Sequence, residues 1–163
     1  MQETSDYPPA IALEAQVAAL ARTRLFAGVG PQPLRLMAFS APERLARRGA
    51  TVARAGDPAA PAFLVIGGAL AVGARRFAAG SLVNGEGALA GRAPRHDIVA
   101  AVPARLAVIE RALVARLVRE YPAMGRAMMR ALGTDLRALA AALRAAAAPS
   151  PARALLQPMR RAP

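Results

Sequence analysis

The chain has 163 residues, enough for one domain with its own core and a helix or two beside it. It has no cysteine, which excludes disulfides, thiolate metal sites and cysteine-ligated iron–sulfur clusters and fits a reducing cytoplasm. The formal charge is +12 with every basic residue an arginine, which suits a polyanionic partner or simply reflects arginine-rich codon usage.

Residues 1–9 read as a loose polar arm ending in Pro8-Pro9, with no secretory signal. From Ala10 to Phe26 the positions Leu13, Val17, Leu20 and Leu25 recur at near-helical spacing, and Gly28 and Gly30 are stop signals. A second helix is expected from Pro31 or Gln32 to Arg48, carrying Leu34, Met37 and Leu45, with a break where Pro42 starts a new turn.

The texture then changes to short strands. Thr51-Val52-Ala53, Phe63-Leu64-Val65-Ile66, Ala69-Leu70-Ala71-Val72, Arg75-Arg76-Phe77 and Ser81-Leu82-Val83 are separated by glycine and proline turns. Ile98 to Val102 and Arg105 to Ile109 complete the series. Strands at this spacing predict an antiparallel roll or barrel. The longest apolar stretch, about Ala59 to Ala74, holds three glycines and a proline and is too short to span a membrane.

The stretch from Gly80 to Ala101 carries the chemistry. Gly85-Glu86-Gly87 is a glycine-bracketed carboxylate, followed by Ala88-Leu89-Ala90 and a loop with Pro94-Arg95. Glycines allow positive φ and close backbone approach, so amides can line a hollow. Glu86 offers an acceptor pair for ribose hydroxyls, and Arg95 a fork of donors for a phosphate. Together they describe a pocket for a sugar phosphate. Against this, Glu86 could simply cap a short helix and Arg95 could be a solvated arginine. His96, the sole histidine, makes a poor metal site, and no catalytic triad is evident, so neither a metal nor an enzyme is expected.

This stretch resembles the phosphate-binding cassette of the cyclic nucleotide-binding domains, the sensor type of the catabolite activator and Fnr-like regulators. The family pattern runs Phe-Gly-Glu-Leu-Ala-Leu, a gap, then Pro-Arg-Ser/Thr-Ala-Thr/Ser-Val. Gly85, Glu86, Ala88, Leu89, Pro94, Arg95 and Val99 match it. Asn84, Gly87 and His96-Asp97-Ile98 depart from it. The resemblance covers about Leu25 to Leu143 and implies a mainly β fold, an antiparallel, jelly-roll-like β-roll with N-terminal helices and a long C-terminal helix. It implies that Glu86 takes the ribose 2′-hydroxyl and Arg95 the cyclic phosphate. Amides near Gly87, Ala88 and His96 would complete the cradle, with Gly85 and Asp97 beside them. An Asp97 facing the phosphate at about 6 Å would cost roughly 2–3 kcal/mol, enough to cancel Arg95; an outward Asp97 would leave binding intact.

Glu110 to Glu120 reads as a helix with Leu113, Leu117 and Val118 on one side. Pro122 then opens a long helix over 123–148, in which Met129, Leu132, Leu136, Leu139 and Leu143 form a heptad seam. The seam either lies on the roll or forms a homodimer. Arg137, near Thr134 and Leu139, either stacks on a purine or reaches solvent. Residues 149–163 hold four prolines and three arginines, read as a disordered tail too short for a DNA-reading helix pair. The expected organisation is an arm and helix at 1–24, a roll with its dimer or lid helix at 25–148, and the tail at 149–163. Three functions fit. One is a cytoplasmic sensor of cAMP, or cGMP, signalling through its last helix to an effector protein. The second is a roll of this fold that has lost nucleotide binding and serves as a dimeric interaction module. The third is nonspecific nucleic-acid binding through the arginines.

Overall fold

The computed structural model describes residues 6–147 of the chain, so the expected tail at 149–163 lies outside the described residues. Helix α1 (Leu13–Arg22), a 3-10 turn (Arg24–Phe26) and helix α2 (Pro31–Ser40) precede the strands. The strands are β1 (Glu43–Ala46), β2 (Thr51–Ala53), β3 (Ala62–Gly67), β4 (Ala69–Val72), β5 (Arg75–Ala78), β6 (Leu82–Val83), β7 (Ile98–Ala100) and β8 (Ala104–Ile109). Helix α3 (Gly85–Ala90) interrupts them between β6 and β7, and α4 (Arg111–Glu120) and α5 (Pro122–Ala147) follow.

Two four-stranded sheets face each other, ordered β1-β8-β3-β6 and β2-β7-β4-β5, and every pairing is antiparallel. This is the expected β-roll with flanking helices. All six residues of β3 are buried, because the strand is covered on both faces. Phe63 and Val65 point between the sheets with Leu70, Val83, Ile98 and Leu106. Leu64 and Ile66 point the other way, onto Leu20, Phe26, Leu34, Met37, Leu117 and Met124. Full burial of each such side chain stabilises the fold by about 1.5–3 kcal/mol, so this two-faced strand locks helices and roll together.

Three local expectations differ from the structure. The first helix stops at Arg22 rather than continuing to Phe26. Thr23 is extended and its hydroxyl donates to the Leu20 carbonyl at 2.7 Å, ending the ladder. The second helix ends at Ser40, and the segment after Pro42, including Leu45, is strand β1 paired with β8. Proline lacks the N–H a continuing helix needs, while its carbonyl accepts from the Val108 amide at 2.9 Å. Finally, the end of the arm is tied down: the Pro8 carbonyl accepts from Arg105 Nε at 2.8 Å, and the Ile11 amide donates to Ile66 at 2.7 Å.

The α5 helix buries Met124, Ala127 and Met128 against the body of the domain. Its heptad seam does not pack there. Met129, Leu132, Leu136, Leu139 and Leu143 are 72, 37, 67, 57 and 61% exposed. Among the described residues, no helix is long and apolar enough to cross a membrane.

Candidate functional site

The cassette is built between two left-handed residues. Asn84 (φ 60°) ends β6 and opens α3, and Gly91 (φ 65°) closes it. Asparagine tolerates this conformation because its short amide bonds locally. Here Asn84 Nδ2 donates to the carbonyls of Ala60 and Pro61 at 3.2 and 3.0 Å, fixing α3 to the entry of β3. Gly87 is required by a close approach: a Cβ there would lie 2.4 Å from Asn84 Oδ1 and 3.3 Å from the Arg92 carbonyl oxygen. At the helix end the Arg92 amide donates to Gly87 at 2.8 Å.

Gly85, Glu86 and Gly87 line one cleft of about 450 Å³, together with Thr23, Arg24, Leu25, Arg75, Phe77, Leu82, Val83 and Asn84. Glu86 is exposed at this cleft. Ala88 is buried behind it, and its amide donates to the Asn84 carbonyl at 2.9 Å, so that N–H is engaged within the cassette. The Arg75 guanidinium sits over the Phe77 ring, 5.0 Å from its centre, which puts a cation and an aromatic ring in the lining of the same cleft as Glu86.

Arg95, His96 and Asp97 are brought to one exposed loop, but none of the three lines this cleft. Asp97 is committed elsewhere: its Oδ1 accepts from the Ala55 amide at 2.7 Å. The Gly56 amide donates to the Pro94 carbonyl at 3.0 Å. These two bonds clamp the loop before β7 to the turn after β2. His96 lies beside the turn between β4 and β5, where a Cβ on Gly73 would be 3.6 Å from its ring. Arg137 is exposed on α5, donates to Thr134 Oγ1 at 3.4 Å and does not line the cleft.

Sequence reasoning missed Arg75, Phe77 and Leu25 as site residues. The signal for the first two was present, since alternation along a strand places residues 75 and 77 on one face. Leu25 carries no such signal, because its place depends on how the 3-10 turn packs. Among the described residues no cluster of histidine, cysteine or carboxylates could hold a metal ion.

No protein-family model and no curated protein sequence matches the chain. Solved structures do. The N-terminal domain of a transcriptional regulator from Streptomyces coelicolor A3(2) aligns at a TM-score of 0.68 and 21% identity, over 76% of this chain and 93% of that one. A cyclic nucleotide-binding domain from Methylobacillus flagellatus aligns at 0.60 and 22%, over 81% and 78%. A cyclic nucleotide-binding-like protein from Brucella abortus aligns at 0.54 and 26%, over 64% and 97%. With two antiparallel sheets, a cassette helix between β6 and β7 and helices at both ends, the chain has the cyclic nucleotide-binding domain fold of catabolite activator-type regulators.

Proposed function

We propose that the chain is a cytoplasmic regulatory module, not an enzyme, that binds a cyclic nucleotide, cAMP, beside α3 and signals through α5 to a protein partner. The observation that carries this reading is the cassette itself. A glycine-bracketed Glu86 opens onto a cleft of about 450 Å³, within the size range of small-ligand sites. In this reading Glu86 accepts from the ribose 2′-hydroxyl, and the backbone at Gly85, Gly87 and Ala88 shapes the phosphate end. Arg95 extends from its loop to the phosphate, flanked by His96. Asp97 acts as the clamp that holds this loop, and its repulsion of a phosphate is avoided because its carboxylate serves Ala55. Arg75 adds a second cation.

Coupling to α5 has a physical route. Leu25 and Glu86 line both the cleft and a second, apolar recess beneath α5, together with Leu89, Val118, Gly125, Met128, Met129 and Leu132. A ligand gripping Glu86 and packing on Leu25 favours the arrangement of α5 with which those positions are compatible, which is a population shift. The exposed seam of α5 pairs with a second copy of the chain. A second reading, a dimeric interaction module that no longer binds nucleotide, is favoured by the place of Arg95 outside the cleft.

Calorimetric titration with cAMP and cGMP separates the two. The sensor reading expects a micromolar Kd, about −8 kcal/mol, abolished by Arg95→Ala and weakened at least about tenfold by Glu86→Gln. No heat and no thermal shift at millimolar nucleotide overturns it and leaves the interaction module.

A further inference from the structure

The four arginines of α5, Arg126, Arg130, Arg137 and Arg144, follow one another at intervals of 4, 7 and 7 residues. At 3.6 residues per turn and 1.5 Å per residue they fall within about 40° of arc along about 27 Å of helix. All four are exposed, on the side of the helix away from the buried Met124, Ala127 and Met128. Gly133 and Ala140 fall between them on the same face, so no bulky side chain separates the guanidinium groups. Among the described residues none of the four makes an ion pair. The one contact within the row is local, from Arg137 to Thr134, whose hydroxyl bonds back to the Arg130 carbonyl at 3.0 Å.

A straight row of planar, weakly hydrated guanidinium groups on a rigid rod is matched to a row of phosphates. We infer that this face of α5 docks on the phosphate backbone of double-stranded nucleic acid, without reading bases. The inference does not rest on nucleotide binding in the cleft. A lipid surface fits less well. It would have to engage the leucine seam and the arginine row in one plane, and the two are centred roughly 115° apart around the helix. The row also stays accessible if two seams pair. With Met129, Leu136 and Leu143 at a and Leu132 and Leu139 at d, Arg130, Arg137 and Arg144 all occupy b, on the outside of a coiled coil.

The test is fluorescence anisotropy of the full chain with a labelled mixed-sequence duplex of about 30 base pairs, titrated between about 50 and 200 mM salt. Four phosphate contacts predict a log–log salt slope of about −3.6 per protomer, an affinity loss of about 150-fold across that range. The variant R130Q/R137Q/R144Q should flatten the slope by about 2.7, while R130K/R137K/R144K should keep binding within about threefold. The variant R54Q/R76Q/R92Q removes the same charge from the roll and should bind within about twofold of the parent. Equal losses in the two glutamine triples, no binding at the lowest salt, or preference for vesicles rich in phosphatidylglycerol over the duplex would each overturn the inference. Should the α5 triple lose its helical circular dichroism, R130Q and R137Q singly must each flatten the slope by about 0.9, and unchanged slopes in both overturn it.

Discussion

The side-chain oxygen of Asn84 occupies the space a side chain at Gly87 would need, 2.4 Å from where a Cβ would sit. The carboxamide has no room to swing aside without surrendering its bonds to Ala60 and Pro61. These two departures from the family pattern therefore explain each other. Asparagine at the left-handed position 84 demands glycine at 87, and glycine at 87 admits the folded asparagine.

That pairing predicts non-additivity. Gly87→Ala should cost about 1–3 kcal/mol through the clash. Asn84→Ala should cost about 1–3 kcal/mol by stranding two carbonyls and straining φ. In the double variant the clash has no partner, so its cost should fall short of the sum of the two single costs by about 1 kcal/mol. Urea unfolding of the four proteins measures this, and strict additivity would show that the two positions act separately.

Asp97 holds the cassette loop through one charge-assisted bond to the Ala55 amide. Because the carboxylate is exposed, Asp97→Ala should lower global stability by no more than about 1 kcal/mol. The local effect is larger in kind. The Ala55 amide loses its acceptor, and hydrogen exchange there should accelerate while amides of β3 keep their protection. Exchange at Ala55 unchanged in the variant would mean that the bond to Pro94 alone secures the loop.

Much of the architecture was legible because it is written in local pattern. The apolar run at 63–66 and the glycine-bracketed Glu86 are signals of periodicity and backbone chemistry and lie in β3 and α3, while Gly56 and Gly68 take the positive φ of turn glycines. What was misread depends on distant partners. Leu45 looks helical beside Leu34 and Met37, yet Pro42 releases it to pair with β8, some 60 residues away in the chain. Pro8 looks like part of a loose arm until Arg105 supplies a donor. In the site, Glu86 was legible from its glycines. Strand alternation puts Arg75 and Phe77 on one face of β5, but only the closed roll brings that face to the cleft lined by Glu86. Local motif cannot say which way a loop arginine reaches, and Arg95 is the case in point.

The helical layer depends on side chains that no solvent reaches. Leu117 of α4 is fully buried among Leu34, Met37 and Met124 in the layer over β3. Leu117→Ala should cost about 2–5 kcal/mol, the spread reflecting how far α4 and α5 can collapse into the space. Denaturant unfolding should show the loss as a lower midpoint with an unchanged slope. A cost under about 0.5 kcal/mol would show that the layer is loosely packed at this point.

Leu136 and Leu139 present the opposite case, large apolar side chains 67 and 57% exposed on a helix whose buried face ends near Met128. An isolated chain gains almost nothing from them, so Leu136→Ala with Leu139→Ala should leave unfolding of the monomer within about 0.5 kcal/mol, alanine being the better helix former. Paired seams change that. Across a two-fold coiled coil the double variant removes four buried leucines, and dimer affinity should fall more than about a hundredfold. Sedimentation equilibrium of parent and variant distinguishes the cases. A parent chain that stays monomeric at high micromolar concentration would remove the second copy as the seam's partner, and a variant that dimerises as tightly as the parent would move the interface off this face. Loss of the dimer with an intact roll would place the interface on α5, joined by Leu25 and Met129 to the cleft that holds Glu86.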